Sequence, residues 1–257
     1  KVMYNITAMY NRLSTTYYNE RFGDDLFKYG HIGTFERTQT PSYEVRSAYN
    51  FHGTTQTAHI QNSWIETSKY IAPSEYNPIL SNYTSQLYNI PSLAPYLTTF
   101  DAIRNFNGLV NGTSLPAVYS LFSNVGTQST SYSKSLNNYY YIQAKAAATV
   151  KGHDLELGIQ YDQYTASSYG LSAYSLWTLV RQSANAHISQ LDFNNPVEYF
   201  VGSDLYVDYN RLNGGGQTCF DASLREALGL DVNGTDWLDI DRYSPEQYNE
   251  FGGINMF

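Results

Sequence analysis

Polar and apolar residues alternate most clearly between Tyr139 and Thr165, on both sides of a single break. On the first arm Tyr140, Ile142, Ala144, Ala146, Ala148 and Val150 fall on one face, and the positions between them are mostly polar. On the second arm Leu155, Leu157, Ile159 and Tyr161 share a face, with Glu156, Gly158, Gln160, Asp162 and Tyr164 opposite. A period of two is the strand period. A type II′ turn at Gly152-His153 joins the arms with their apolar faces coincident. Val150 then faces Leu155, Ala148 faces Leu157, and Lys145 lies diagonal to Asp162. Each arm has the ~9–11 residues that a tilted strand needs to cross a bilayer. Tyr139, Tyr140, Tyr141, Tyr161 and Tyr164 gather at the open end, as in the aromatic girdle of a membrane barrel. A hairpin of a soluble sandwich, with one wet face, has the same pattern.

The rest of the chain is less regular. Val2, Tyr4, Ile6 and Ala8 predict a strand, and Gly33 to Arg37 a short one bounded by Pro41. Residues 45–138 are mostly Ser, Thr, Asn, Tyr, Gly and Pro and read as long surface loops. Prolines 73, 78, 91, 95 and 116 punctuate them, and the apolar pairs Ile79-Leu80, Leu93-Ala94, Leu109-Val110 and Leu121-Phe122 dock locally. Residues 172–257 read as a second surface-loop region with short helices. A helix is expected over Ser172–Phe193, anchored by Trp177 and Leu191, with Pro196 past its end. Leu205, Val207 and Tyr209 predict a strand, and Asn213 to Gly216 a flexible loop. Asp221 is placed as N-cap of a helix over Ala222–Leu228 stopped by Gly229, and Ser244-Pro245-Glu246 opens another.

Composition narrows the classes. Charged residues are 15% of 257, well below the ~25% of ordinary soluble domains. Aromatics are 16%, with 26 tyrosines, a surface chemistry that suits an extracellular β-rich protein. A net charge of -8 without a basic patch argues against nucleic acid as a partner. Cys219 is the single cysteine, which rules out a disulfide framework within the chain and a thiolate metal site. No run of 18 apolar residues exists, which excludes a spanning helix but not a barrel. Lys1 to Tyr4 lead into polar residues with no signal-peptide core, so the chain is expected to start after processing or partway through something longer.

Candidate chemistry is sparse. Asp231, Asn233, Asp236, Asp239 and Asp241 are oxygen donors at the close spacing that calcium favours. As an EF-hand the run fails, because Asp236 stands where Gly is needed and Arg242 where a bidentate Glu is needed. An irregular calcium loop and a turn capped by aspartates around Trp237 are the two remaining readings. His31, His52, His59, His153 and His187 show no paired ligand spacing; His187 is expected to be packed or at the surface, and His153 wet. There is no G-x-S-x-G, and Asn213 to Gly216 lacks the Lys and Ser/Thr of a P-loop. Trp64, Trp177 and Trp237 can stack on sugar rings or pack in a core. Asn5, Asn82, Asn111 and Asn233 head glycosylation acceptor patterns. No catalytic residue, cofactor or resident metal is expected.

Four blocks resemble the large TonB-dependent outer-membrane receptors of Bacteroidetes-type bacteria. They are MYNRLSTTYYNERFGDDLFKYGHIGTFERTQTPSYE, KGHDLELGIQYDQY, LWTLVRQSANAHISQLDF and FDASLREALGLDVNGTDWLDIDRYSPEQYN. The resemblance covers most of the chain, thinly over 45–135. It implies a transmembrane antiparallel β-barrel of about 22 strands with a plug in its lumen, long extracellular loops carrying short helices, and nutrient import energised by TonB. It also implies outer-membrane lipid and, in many members, a surface lipoprotein lid as partners. At ~10 residues per strand such a barrel with its plug does not fit in this length. No plug or TonB box is identified, so residues 1–257 are expected to be a partial barrel region that meets the remainder of its own barrel and plug. Gln143, Lys145, Ala147, Glu156, Gly158, Gln160 and Asp162 would face the lumen. A non-transporting scaffold subunit of a surface complex, and a secreted β-rich carbohydrate-binding protein or glycosidase, are the alternatives.

Overall fold

The computed structural model describes residues 2–113 and 130–257; Pro116 and the Leu121-Phe122 pair lie outside them. Strands take 48% of the chain and helices 25%, so the expected mainly-β class is observed, and the described residues form no closed barrel. The chain divides into two compact units, one of residues 1–21 and 131–172, the other of 22–130 and 173–257.

The first unit is a three-stranded antiparallel sheet. β1 (Val2–Tyr17) and β5 (His153–Ser172) flank β4 (Ser131–Val150). β1 pairs with β4 without a break from Val2↔Ala148 to Tyr17↔Ser133, and β4 with β5 from Ser131↔Ser172 to Val150↔His153. The expected hairpin is present and extends eight residues further at its open end on the first arm, to Ser131, and to Ser172 on the second. Its turn differs. Lys151 and Gly152 are the two loop residues, with φ of 49° and 83°, the two positive values of a type I′ turn. Val150 therefore faces His153 and Ala148 faces Leu155, a slip of two residues from the expected pairing. Alternation fixes which face a side chain takes, and a two-residue slip keeps every face. Lys145 now stands opposite Gly158 and Asp162 opposite Tyr141, so the expected Lys145–Asp162 pair is replaced.

The second unit holds a mixed sheet in the order β2 (Gly33–Phe51), β3 (Thr54–Pro73), β7 (Asp204–Leu212), β6 (Gln190–Val201). β2 and β3 form a long hairpin around His52-Gly53, so residues 45–73 are strand where loops were expected. Pro41 does not end β2. It lies on an edge strand, where a missing N–H costs least. β3 and β7 run parallel for three pairs, Ala58↔Leu205 to Ile60↔Val207, and the side chains of those four residues form one apolar core with Tyr49, Phe51 and Tyr209. An up-and-down antiparallel barrel pairs each strand with its chain neighbour, whereas here β1 pairs with β4 and the second sheet contains a parallel pair.

Helices occupy the connections. α1 (Pro78–Tyr88) and α2 (Phe100–Asn105) lie in the expected loop region. α3 (Ala173–Ser183) is shorter than expected, because Asn185 turns left-handed at φ 62° and Gln190 onward joins the sheet as β6, taking Pro196 with it. Of the residues at helical spacing, Leu176, Val180, Ala184, His187, Ile188 and Leu191 are nevertheless buried and Leu179 is exposed, so the spacing marked most of the buried positions but not the element. α4 (Cys219–Ala227) is capped by Thr218, whose Oγ1 accepts from the Asp221 N–H at 3.1 Å, so Asp221 is not the cap. Gly229 ends it at φ 69°, as expected. α5 (Pro245–Phe251) starts at Ser244 with a full capping box to Gln247.

Candidate functional site

The first unit presents two unlike faces. Val2, Tyr4, Ile6, Ala8 and Tyr10 on β1 register with Ala148 back to Tyr140 on β4, and these with Leu155, Leu157, Ile159 and Tyr161 on β5. Nothing described covers this face. Tyr4 is 82% exposed, and Leu157 and Ile159 are 73% exposed. Contiguous exposed apolar area of this extent marks an interaction surface, not an ordinary water-facing sheet. Along β4 the band runs from Tyr140 to Val150, about 33 Å at ~3.3 Å per residue. Tilted by ~40°, it spans roughly 25 Å, the height of the apolar band of a membrane barrel. Tyr10 stacks on Tyr140 with ring centroids 4.8 Å apart at one end, and Arg12, Asn138 and Thr165 follow in register beyond them. The reverse face carries the residues expected to face a lumen. There Gln143 donates to Gln160 at 3.3 Å, and the Thr149 hydroxyl donates to Asp154 at 2.7 Å.

In the second unit the connections pack on Trp177 of α3. Its indole N–H reaches the carbonyls of Phe27 and Tyr29 at 3.2 and 3.0 Å, and its ring meets Phe27 and Tyr248 edge-on. Trp177 is therefore a core residue and not a sugar platform. His31 is also buried, with Nδ1 2.8 Å from Ser74 Oγ, and burial pulls its pKa down to about 4. His187 is packed near Asp221, and His153 is exposed at the start of β5.

The acidic run does not converge on a cation. Asp241 is fully buried. Its Oδ1 accepts from Arg181 Nη1 at 2.7 Å and Asn111 Nδ2 at 3.0 Å, and its Oδ2 from Arg37 Nη1 at 3.0 Å. Arg37 also pairs with Glu66, and both arginines lie over the Phe100 ring. Asp239 accepts the Arg37 backbone N–H at 2.7 Å; burial raises its pKa to about 7, with Asp241 adding to the shift. Asp231 accepts from Asn233 N–H at 3.0 Å in a local turn, and the carbonyl of Asp236 accepts from Arg225. Asp241 is an internal counter-ion, Asp231 caps a turn, and no group of three His, Cys, Asp or Glu among the described residues is placed to hold a metal. Asn111, an acceptor pattern in the sequence, is buried and bonded to Ile32, Gly33 and Asp241, which closes it to glycosylation in the folded state.

A second polar centre lies on α4. The Asp221 carboxylate accepts from Asn185 N–H at 2.9 Å, Gln217 Nε2 at 2.7 Å and Arg225 Nε at 2.9 Å. Sequence reading missed Arg37, Arg181 and Arg225. Arg181 carried one signal, a lone cation after the apolar stretch Leu176 to Val180, whereas Arg37 and Arg225 stand beside Glu36 and Glu226 and carry no such mark.

A cleft of about 660 Å³ opens where β3 and β7 part, lined by Gln39, Asn62, Trp64, Gln190, Asp192 and Phe193 among others. Gln61 bridges the start of the divergence by accepting from Tyr209 N–H at 2.8 Å. Arg211, which is not among the residues lining the cleft, has its guanidinium 4.7 Å from the Trp64 ring centroid and 5.2 Å from that of Trp237.

No protein-family model matches this chain, and no curated protein matches it.

Proposed function

We propose that the β1–β4–β5 sheet is a lipid-facing section of a bacterial outer-membrane β-barrel. The helix-bearing second unit is the ligand-contacting part of a TonB-dependent nutrient importer with no catalysis of its own. The observation that carries this is the uncovered apolar band of roughly 25 Å, backed by a polar face. Two further features support it. The hairpins β2–β3, β4–β5 and β6–β7 close by two-residue turns, while residues 18–32 and 173–189 form longer connections between strands, as expected of short periplasmic turns and long outer loops. The four blocks that resemble the receptor family fall on the second half of β1, its following connection and β2; on the hairpin turn and β5; on α3 to the start of β6; and on α4 to α5. The outer edges of β1 and β5 carry unpaired backbone groups among the described residues, which lipid does not tolerate, so further strands of the same barrel are required on both sides. A plug in the lumen, TonB and a surface lipoprotein are the remaining partners of the proposal.

The test places single cysteines at Leu157 or Gln160 in a Cys219→Ser background and labels each with a polarity-sensitive fluorophore in native membranes. The label at 157 is expected to be quenched by lipid-borne quenchers and shielded from iodide, and the label at 160 the reverse. Equal iodide quenching at both positions overturns the lipid-facing assignment. For transport, loss of this protein and loss of TonB are expected to give the same nutrient-specific growth defect; a defect that is independent of TonB favours a scaffold.

A further inference from the structure

We propose that the open edge of β3 beside the cleft binds a short peptide in extended conformation, added to the sheet as a strand. This does not depend on which solvent faces the β1–β4–β5 sheet.

The direction of the backbone groups carries the inference. Arg37 of β2 and Ser68 of β3 face each other, yet both N–H groups leave the hairpin, to Asp239 Oδ2 at 2.7 Å and to the Thr98 carbonyl at 2.6 Å. They are therefore a non-hydrogen-bonded pair, and such pairs recur at every second residue of an antiparallel ladder. Gln39↔Glu66 and Pro41↔Trp64 are the next two, in unbroken register. Pro41, which has no N–H, thus sits where the ladder needs none. The N–H and C=O groups of Trp64 and Glu66 point away from β2, toward the side of the sheet where β7 lies. β7 leaves β3 after Ile60↔Val207, and among the described residues no hydrogen bond reaches these four groups. Arg211 lies over the Trp64 ring, a side-chain contact that leaves the Trp64 backbone unpaired.

The occupant follows from the dimensions. The Gln61 side chain closes one end of the open edge by accepting from Tyr209 N–H, and the Ser68–Thr98 bond closes the other. Residues 62–67 between them are roughly 20 Å of strand at ~3.3 Å per residue. A strand as long as β4, at 20 residues, would run into both closures, whereas a peptide of about six residues fits. In strand addition the main chain supplies affinity and pockets take alternate side chains. The cleft of about 660 Å³ provides that room, with Asn62 and Ser63 on its β3 wall and Gln190 and Phe193 on its β6 wall. Its amides and ring suit small polar and β-branched side chains.

The test titrates the purified protein into a fluorescent, end-capped hexapeptide of alternating threonine and valine and reads anisotropy. Saturable binding is expected. Two further peptides carry N-methyl groups on alternate amides, one set along each edge of the strand. The set facing β3 is expected to raise the Kd at least tenfold, and the set on the far edge to leave it within threefold. Glu66→Pro removes an outward N–H without touching the β2 ladder and is expected to raise the Kd at least tenfold, while Glu66→Gln, which keeps that N–H, leaves it within threefold. Asn62→Trp fills the exposed lip of the cleft, is expected to weaken binding in the same direction, and decides the matter where Glu66→Pro does not fold. Absence of saturation up to about 1 mM peptide, equal binding of the two N-methylated peptides, or indifference to both Glu66→Pro and Asn62→Trp overturns the proposal.

Discussion

Replacing Asp241 by asparagine keeps the shape of the side chain and removes one charge from the centre of the second unit. In the native protein that carboxylate is fully buried, and the Arg37 and Arg181 side chains are each only 11% exposed. An ion pair at the surface contributes ~0–1 kcal/mol. Removing one partner of a buried pair costs ~3–5 kcal/mol, because the other charge stays desolvated and alone. Here two arginines face the same carboxylate. Arg37 keeps Glu66, so the loss falls mainly on Arg181, whose other anchor is the Asn111 carbonyl at 2.7 Å. The asparagine retains one acceptor oxygen but sets an N–H₂ against a guanidinium N–H. The low end of the range, about 3 kcal/mol, is expected. That is a large share of the ~5–15 kcal/mol that stabilises a typical domain. The assay is equilibrium urea unfolding, read from the fluorescence of buried Trp177. Asp231→Asn serves as control, because Asp231 is exposed and asparagine caps a turn as well as aspartate does; a change under ~0.5 kcal/mol is expected there. A loss below ~1 kcal/mol for Asp241→Asn would refute the argument. As a second check, Arg181→Met combined with Asp241→Leu should recover at least half of the loss, since apolar residues of similar volume can replace a buried pair.

If the apolar band faces lipid as proposed, Leu157→Arg at its middle, opposite Ala146, is expected to destabilise the protein by ~2–4 kcal/mol and lower its amount in outer-membrane fractions, while Gln160→Arg on the reverse face leaves it unchanged. The raised pKa of Asp239, about 7 against an ordinary 3.8, favours the folded state fully below about pH 4, and that contribution is lost as pH rises through 7. Asp239→Asn should therefore flatten the fall in Tm between pH 4.5 and 7.5 relative to the native chain; identical pH profiles would remove the assignment. Buried His31 acts in the opposite sense, its contribution present above 6.5 and lost as pH falls through about 4, and it is common to both chains in that comparison. Gly112 has φ 84°, and a Cβ there would stand 2.9 Å from both Trp177 Cβ and the Tyr174 carbonyl, so Gly112→Ala should cost several kcal/mol by urea unfolding. Gly152→Ala, at φ 83° with nothing within 4 Å, should cost only the ~1–2 kcal/mol of a left-handed backbone.

The parts of the fold that were legible in the sequence are those where one local rule decides the outcome. Alternation from Tyr140 to Val150 and Leu155 to Tyr161 predicted both the hairpin and its faces, because one parity governs every side chain. The same rule is blind to a slip of two, and only the backbone of Lys151 and Gly152 sets the pairing. Residues 45–73 were missed because their polar, β-branched run shows no clean alternation; β3 is held by pairing with β2 and a three-residue contact with β7, which local sequence does not reveal. The reading of Leu191 as a helical anchor failed for a related reason. Burial at helical spacing was met by a helix, a turn and a strand in succession. Of the candidate site, the aspartates were visible as a cluster, but their partners Arg37 and Arg181 lie 204 and 60 residues away from Asp241, and long-range counter-ions leave no spacing to read.

The unusual composition acquires a physical reason in the second unit. Its connections lack a ladder to satisfy their backbone, and each buried N–H and C=O needs a partner. Side-chain amides supply them. Asn111 accepts from the N–H groups of Ile32 and Gly33 and donates to the Gly33 carbonyl. Asn185 joins both the N–H and the carbonyl of Leu238, as a paired strand would. Asn77 donates to the carbonyls of Lys28 and His31. An asparagine used this way carries both a donor and an acceptor without the desolvation cost of an ion. A chain can thus be low in charge, rich in asparagine and still bury its irregular segments. One buried charge ties three separate segments at one point: Asp241 joins β2, the segment after α2, and α3. Regular structure in the first unit needs no such ties, and there the side chains are free to be sorted by solvent alone, apolar on one face and polar on the other.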